Sequence, residues 1–356
     1  MEELFGSDTD ALMMLVWIIP IILFVFYGQR IQLYVTSNQI KKDVAKLLKY
    51  RDESEGALAE FAGGPGGMSG LLDYFTIMPV DMDPAGIVPK LRHIVRSRED
   101  LTRARVKSMH PGADELEISR MLTLLEIASV LRLLHKTVNH LYLTAKRQNN
   151  FPLILPLQMA LPFVMEQAEA FRDAVPAFRA GQPVGDGIGP MVVGRMMLGA
   201  AKNEAAFQTV WAEAKSEGRW LYLLKARGPE STVGRLGEAA KSIIEQRRPD
   251  AVIMVDAALM MEGEESASVA RGFGAAIGGL GIERFEIEEA AAAAGIPVYS
   301  IIVRQSAKEA VGLMPKSVAE AADGVRVQLL EMIRDSTTEG EAVLVIGVGN
   351  TAGISQ

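Results

Sequence analysis

The sequence predicts an α/β protein with an N-terminal transmembrane helix, a helical middle region, and a C-terminal, mostly parallel sheet with helices on both faces. Three observations predict this class. Residues 11–28 are apolar and carry no charge. Apolar residues then recur at helical spacing up to residue 180. From Gly181 onward, short apolar runs alternate with helical segments, which is typical of a parallel sheet covered by helices.

Composition excludes several classes of function. The chain has 356 residues, which favours two to three domains. It contains no cysteine, so disulfides, a thiolate nucleophile and cysteine metal ligands are excluded. A formal net charge of −7 argues against a nucleic-acid partner. All four histidines precede residue 150, and the spacing of His135 and His140 does not place both on one helix face. We therefore predict no metal site.

The N-terminal region predicts membrane attachment. Residues 1–10 form a short acidic tail, and residues 11–28 are about as long as a transmembrane helix, which needs roughly 17–25 residues. The residues that follow are basic, and positively charged flanks stay on the cytoplasmic side. We predict a single-pass protein of the cell membrane, with its N-terminus outside and all of the chain after Gly28 in the cytoplasm.

The middle of the chain reads as helical. Residues 29–62 predict a juxtamembrane helix. It is either a stalk or a helix that forms a homo-oligomer, or it is an amphipathic helix that packs on its own domain. Residues 63–70 form a glycine-rich linker, and residues 71–180 form a helical region. Within that region, residues 151–164 are too short and too rich in proline for a second span, so a buried helix or one at the membrane surface is predicted.

Residues 181–356 predict the α/β domain. Its predicted strands are 221–225, 251–255, 297–303 and 343–348, and its predicted helices are 191–202, 238–247, 286–294, 306–311 and 318–335. The strand 251–255 organises the rest because its unbroken apolar run is typical of a central strand buried on both faces. A glycine-rich loop is predicted over 272–281.

Two aspartates are the candidate catalytic residues. Ligands of open α/β sheets bind outside the carboxyl ends of the strands, and Asp256 directly follows the central strand. Asp186 lies at a predicted helix start, where the helix dipole should lower its pKa, whereas burial should raise the pKa of Asp256. Neighbouring carboxyl groups of this kind can act as base and acid, activating water against a carbonyl. They can also hold a divalent cation, or each can simply cap a helix.

Other residues at the ends of strands and loops are predicted to bind substrate. They are Gly185, Gly187, Gly189, Gly228, Glu230, Gly278, Gly279, Gly349 and Asn350. Glycine lets the backbone approach a ligand closely, while Glu230 can bind substrate or belong to a surface turn. The loop 272–281 can cradle a phosphate, but it matches no complete dinucleotide or P-loop fingerprint, so the sequence identifies no cofactor.

The C-terminal half resembles a family of peptidases. The segments GDGIGPMVVGRMM and ARGPESTVGRLGEAAKSIIEQRRPDAVIMVDAALMM, followed by GIGGLG and AGIPVYSIIV, resemble in the same order the motifs of the bacterial spore germination proteases. The hydrogenase maturation endopeptidases share that fold, but their nickel-sensing histidine has no counterpart here. The resemblance covers roughly residues 181–356 and implies an aspartate pair at Asp186 and Asp256. The whole chain also resembles an uncharacterised archaeal single-span membrane-protein family, which implies no activity.

One departure from the protease pattern suggests a circular permutation. In those proteases a strand ending in Gly-Leu-Gly-Asn directly precedes the aspartate-bearing helix. Here the matching strand, residues 343–348 followed by Gly349 and Asn350, lies at the end of the chain. We therefore expect this last strand to lie beside residues 251–255 and to bring Asn350 close to Asp186.

Three functions remain open from the sequence. The first is a membrane-anchored hydrolase that cleaves a protein or peptide substrate with the aspartate pair. The second is a membrane-tethered scaffold or small-ligand sensor without enzymatic activity. The third, a nucleotide- or phosphate-directed hydrolase, is supported only by the loop 272–281.

Overall fold

The computed structural model describes most of the chain after the first residues. The described residues are 6–64, 71–73, 86–148, 151–279 and 281–355, without the side chains of 6–27, 29–30, 32–33, 73, 148 and 151–153. The predicted tail and most of the predicted span, residues 11–28, therefore lie outside the described side chains. Among the described residues, no helix has both the length and the apolar character that crossing a bilayer requires.

The chain divides into two compact units. The first consists of Met1–Arg51 and Leu131–Ala168, and the second of Asp52–Val130 and Glu169–Gln356. The N-terminal half is helical, as predicted. Its helices are α1 (Gly6–Phe61), α2 (Ile87–Met109), α3 (Glu115–Gln148) and α4 (Phe151–Ala180). The helix predicted over residues 29–62 is thus the second half of α1.

The first unit buries a regular seam of side chains. The buried positions of α1 alternate at spacings of four and three, as in a helical bundle; they are Thr36, Ile40, Asp43, Leu47 and Tyr50. The hydroxyl of Thr36 donates a hydrogen bond of 3.4 Å to the side-chain oxygen of Gln158 on α4. The helix predicted over 151–164 forms the start of α4. One face of this segment is buried, whereas Met159 and Phe163 are exposed.

The second unit contains a seven-stranded mixed sheet. Its strands are β1 (Lys202–Glu204), β2 (Thr209–Ser216), β3 (Arg219–Ala226), β4 (Ala251–Leu259), β5 (Val269–Phe273), β6 (Val298–Gln305) and β7 (Ala342–Gly347). The order across the sheet is β1-β2-β3-β7-β4-β6-β5. The four inner strands β3, β7, β4 and β6 are parallel, whereas β1, β2 and β5 join antiparallel at the two edges. The prediction of a mostly parallel sheet is confirmed for its centre.

Five helices accompany the sheet. They are α5 (Ile188–Met196), α6 (Leu236–Arg247), α7 (Ile282–Ala294), α8 (Ala307–Val311) and α9 (Lys316–Ser336). Alternate residues of β4 face opposite sides: Ile253 and Val255 pack in one core with α5 and α9, and Val252 and Met254 pack in another with α6 and α7. Because β4 is buried on both faces, its carboxyl end is the natural position for a ligand site.

The last strand lies where the permutation hypothesis requires it. Strand β7 pairs in parallel with β4, and Ala251 is opposite Val343. The expected contact with residues 251–255 is thus confirmed. The amide of Val348 continues the ladder with a hydrogen bond of 2.8 Å to the carbonyl of Val255. This extension places residues 349 and 350 next to the segment of β4 that carries Asp256.

Three strands differ from the sequence prediction. The antiparallel strands β1, β2 and β5 were not predicted, and the helix predicted over 191–202 ends at Met196. The turn between β2 and β3 shows the physical reason for one of these differences. Glu217 and Gly218 both have positive φ, as a tight hairpin with a primed turn requires, but Glu217 gives no such signal in the sequence. Strand β5 occupies Gly272 and Phe273, so the glycine-rich loop begins later than predicted.

Candidate functional site

The two candidate aspartates meet at the carboxyl edge of the parallel strands. Asp256 does not follow the central strand as predicted, because β4 continues to Leu259; Asp256 is the last buried residue of β4 and is only 6% exposed. Asp186 is half-buried in a short 3-10 turn, Gly185–Gly187, that leads directly into α5. The backbone amide of Asn350 donates a 2.7 Å hydrogen bond to Oδ2 of Asp186. The expected proximity of Asn350 and Asp186 is therefore confirmed.

Glycines allow the turn and the strand ends to come this close. A Cβ on Gly189 would lie 2.3 Å from the carbonyl oxygens of Val255 and Val348, so only glycine lets α5 rest on the ends of β4 and β7. Gly349 has a φ of 135°, and a Cβ there would lie 1.9 Å from the carbonyl oxygen of Asp186. These contacts fix the position of Asp186 relative to the sheet.

A cavity of about 590 Å³ lies in front of the two aspartates. This volume is within the usual range of small-ligand sites, roughly 300–1,000 Å³. Six of the predicted site residues line it; they are Asp186, Asp256, Gly278, Gly279, Gly349 and Asn350. The sheet edge and the loop before α7 thus form one side of the cavity.

Two helices of the N-terminal half form the opposite side, which we call the helical wall. Helix α2 contributes residues at helical spacing, chiefly Arg92, Arg96, Glu99 and Arg103. Helix α3 contributes Ser119, Thr123, Glu126 and Ser129. None of the residues of this wall was predicted to belong to the site. Its sequence signal is weak, because polar residues at three- and four-residue spacing occur on any amphipathic helix.

Hydrogen bonds tie the helical wall to the aspartates. The hydroxyl of Thr123 donates to that of Ser231 over 2.8 Å, and the hydroxyl of Ser119 donates to the carbonyl of Ser231 over 3.0 Å. The side-chain amide of Asn350 donates to the Ser231 hydroxyl over 3.1 Å. Since the backbone of Asn350 also holds Asp186, one short network runs from α3 to the candidate catalytic group.

Burial controls the ionisation of the pair. It raises the pKa of Asp256 well above its ordinary value, and the nearby charge of Asp186 adds to this effect, against one hydrogen bond from the amide of Ala257. Burial also raises the pKa of Asp186, less strongly, against the hydrogen bond from the amide of Asn350. Asp256 is therefore the carboxyl group that holds a proton more tightly, and Asp186 is the one that ionises first.

The predicted lowering of the pKa of Asp186 is wrong. The reason is that the helix dipole acts on a side chain that the protein has largely removed from water, and desolvation is the larger effect. The predicted direction for Asp256 is correct. Each carboxyl group accepts one backbone hydrogen bond, and its second oxygen takes none from the residues that the structure describes.

Five predicted substrate-binding residues do not line the cavity. Gly185, Gly187 and Gly189 lie behind the aspartates, where their α-carbons pack against backbone and side-chain atoms of neighbouring segments. Gly228 packs in the same way against the carbonyl of Ile354. Glu230 forms an ion pair of 3.1 Å with Arg227. These residues shape the site and do not contact a ligand in the cavity.

The described part of the glycine-rich loop does not favour a bound phosphate. Gly278 and Gly279 line the cavity before the N-terminus of α7, where an anion would be favoured. However, the first turn of α7 carries Glu283, and its carboxylate accepts a hydrogen bond from the amide of Gly237. A negative charge already occupies this helix start. Within the described residues, no group of three or more histidine or acidic side chains is arranged to hold a metal ion.

The fold and the cavity define the class of this protein. It is an α/β protein in which a pocket at the carboxyl edge of the parallel strands holds one buried and one half-buried carboxyl group. Residues 14–181 match the model of the N-terminal domain of a protein family of unknown function, DUF1512, and residues 184–355 match the C-terminal domain of unknown function of the same family. The chain therefore belongs to the DUF1512 family. No curated protein and no solved structure matches it.

Both family domains contribute to the cavity. The helical wall belongs to the part of the chain that matches the N-terminal model, and the aspartates belong to the part that matches the C-terminal one. The division between the two models falls at residues 182–183, directly before the turn that bears Asp186. The site is thus formed where the two sequence domains meet within the second compact unit.

Proposed function

We propose that this protein is an aspartate-pair hydrolase of the peptidase type, attached to the cell membrane by residues 11–28 and active in the cytoplasm. One observation carries the hydrolase proposal. Two carboxyl groups with raised pKa values lie in the same cavity, and each has an oxygen without a hydrogen bond from the described residues. Pairs of titratable groups whose surroundings separate their pKa values are the usual mark of an acid and a base.

The two groups have distinct roles in the proposed reaction. Ionised Asp186 takes a proton from a water molecule, whose oxygen attacks the carbonyl carbon of a peptide bond. Protonated Asp256 donates its proton to the carbonyl oxygen, which gives a neutral tetrahedral intermediate. The proton on Asp186 then passes to the amide nitrogen as the C–N bond breaks, and the carboxyl product returns a proton to Asp256. The bonds from Asn350 and Ala257 hold the carboxyl groups in place during these steps.

The strand arrangement supports the likeness to the germination proteases. The Gly-Val-Gly-Asn end of β7 lies against the Gly-Asp-Gly turn that precedes α5, although the two segments are far apart in the sequence. A circular permutation of the protease fold accounts for this contact. Anchoring is supported by the sequence alone, through the uncharged residues 11–28 and the basic residues after them.

Peptide cleavage by the full-length protein tests the proposal. A mixed peptide library is incubated with the wild type, with Asp256→Asn and with Asp186→Asn, and new termini are identified by mass spectrometry. We expect cleavage by the wild type and a loss of at least about 100-fold in each variant, the order of effect of an acid or base. Asp335→Asn, which changes an exposed aspartate on α9, is the matched control. Cleavage that survives both site substitutions would exclude the aspartate-pair mechanism.

A second function is favoured by a different observation. Asp186 acts on Asp256 through its charge, and no direct hydrogen bond joins the two carboxyl groups among the described contacts. A small-ligand sensor without enzymatic activity needs no shared proton, so this geometry also suits it. In that case Asp256→Asn should weaken ligand-induced thermal stabilisation, and no library peptide should be cleaved by the wild type.

A further inference from the structure

The charges that line the cavity are unequally paired. Four of its arginines already form ion pairs: Arg92 with Glu286, Arg96 with Glu238, Arg103 with Glu115, and Arg235 with Asp100. Among the described residues, Arg98 is the lining arginine without such a partner. Five lining carboxyl groups have no ion pair; they are Glu99, Glu126, Glu283, Asp186 and Asp256. The unpaired ionisable groups that line the cavity are therefore predominantly acidic.

Glu99 and Glu126 stand at the centre of the helical wall. Each occupies the middle of the cavity-facing row of its helix, on α2 and α3 respectively. Both residues are exposed, and both line the cavity. No hydrogen bond to either carboxyl group comes from the described residues. The two groups are also close enough for the charge of Glu99 to raise the pKa of Glu126.

Among the described residues, the arginines near Glu99 and Glu126 do not offset the rise in pKa that burial causes. Burial raises the pKa of Glu126 although Arg98 opposes it, and burial raises the pKa of Glu99 although Arg235 opposes it. Glu283, across the cavity, has a pKa raised by burial as well. A positive charge bound between these carboxyl groups would favour their ionised forms.

A second observation shows that this is a ligand site and not only an acidic surface. Asp256 is almost completely buried, lines the same cavity, and keeps one carboxyl oxygen without a hydrogen bond from the described residues. The cavity of about 590 Å³ separates this oxygen from the helical wall and has room for a long side chain.

We propose that Glu99 and Glu126 bind a positively charged side chain, so that the substrates of the aspartate pair are peptides with lysine or arginine beside the cleaved bond. This proposal rests on the proposed function for the cleavage step, whereas the binding of the cation needs only the cavity. The helical wall then selects the substrate and the sheet edge carries out the reaction.

Three blocked peptides of otherwise identical, uncharged sequence test the binding step. They carry lysine, its neutral analogue norleucine, or glutamate at one central position, with acetylated and amidated ends so that no terminal charge interferes. Binding to the full-length Asp256→Asn variant, which should not cleave them, is measured by calorimetry. We expect the lysine peptide to bind at least tenfold more tightly than the norleucine peptide, and the glutamate peptide to bind most weakly.

Charge-removing substitutions then assign the preference to the helical wall. Glu126→Gln and Glu99→Gln, each in the same background, should reduce the preference for lysine at least fivefold. Glu245→Gln, which removes an exposed carboxylate from α6 outside the cavity, should leave it unchanged. Equal binding of the lysine and norleucine peptides overturns the proposal without any substitution. Tighter binding of the glutamate peptide also overturns it and assigns the site to the arginines.

The outcome is separable from that of the proposed function. If the lysine peptide binds selectively to the wild type but is never cleaved, the cation site stands and the hydrolase proposal fails. If the wild type cleaves library peptides without regard to charge, the hydrolase proposal stands and the cation site is overturned.

Discussion

Replacing the buried Lys225 with methionine should stabilise the sheet at neutral pH. Lys225 lies on β3 with none of its surface exposed, and its ammonium group donates one hydrogen bond of 3.0 Å, to the carbonyl of Ala226. Burial lowers its pKa from 10.5 to about 8, and the positive charge of Lys202 adds to this, against the effect of Glu230. The folded protein therefore keeps this charge at a cost that methionine, of similar length, does not carry.

The size of the effect follows from the pKa. A lowering from 10.5 to about 8 corresponds to about 3.5 kcal/mol, at roughly 1.4 kcal/mol for each pH unit. Loss of the hydrogen bond to Ala226 reduces this gain by about 1 kcal/mol. We expect Lys225→Met to be more stable than the wild type by about 2.5 kcal/mol at pH 7.

The stability difference between Lys225→Met and the wild type should depend on pH. Between pH 8 and 10.5 the unfolded chain binds the Lys225 proton and the folded protein has released it, so wild-type stability rises with pH in this interval. The advantage of Lys225→Met should thus be complete below pH 8 and shrink above it. Urea denaturation at pH 7 and pH 9.5, followed by the fluorescence of Trp211 and Trp220 on the neighbouring strands, measures the difference.

A control separates burial from charge alone. Lys241→Met removes an exposed lysine from α6 and should change stability by less than about 0.5 kcal/mol at either pH. If Lys225→Met is less stable than the wild type at pH 7, or if its advantage is the same at both pH values, then the desolvation of Lys225 is not the cost that we assign to it.

Three further predictions concern the site and its supports. Asp256→Asn should raise the melting temperature at pH 7. The folded protein binds the Asp256 proton more tightly than the unfolded chain, so wild-type stability falls as pH rises above about 4. A gain in melting temperature that does not grow between pH 4 and 7 would contradict this. Gly189→Ala should lower the free energy of unfolding, measured by urea denaturation, by about 1–3 kcal/mol through overpacking. Gly324→Ala, at a position in α9 that faces open space, should raise it by about 0.5–1 kcal/mol. Equal effects of the two substitutions would disprove the close approach at Gly189. Thr123→Val should cost about 1 kcal/mol by breaking its hydrogen bond to Ser231, and hydrogen exchange near Ser231 should become faster; unchanged exchange would count against the network.

The centre of the fold was predictable because its signal is local and strong. The run 251–255 that begins β4 is unbroken and apolar, and a strand of that kind is typically buried on both faces. The edge strands were not predictable for the opposite reason. Strand β1 has three residues, Lys202–Glu204, two of which are exposed, so its hydrogen bonds to β2 leave no hydrophobic pattern. Strand β5 likewise buries none of its residues.

The site was predictable only on the side that the sheet provides. Strand ends mark Asp256 and Asn350, and the turn before α5 marks Asp186, because glycine and acidic residues at such places have a local cause. The helical wall has no comparable mark. Glu99 and Glu126 belong to amphipathic helices whose polar faces usually meet water, and only the tertiary packing of α2 and α3 against the sheet edge turns those faces towards a cavity.

The helical wall bears on the chemistry as well as on the shape of the site. The ionisation of Asp186 depends on the amide of Asn350, since this hydrogen bond of 2.7 Å is what opposes the effect of burial. The side chain of Asn350 is in turn held by Ser231, and Ser231 is held by Thr123 of α3. A shift of α3 would therefore loosen the support of Asn350 and raise the pKa of Asp186 further. A base that stays protonated cannot accept a proton from water, so in the proposed reaction a shift of α3 should raise the pH at which Asp186 acts.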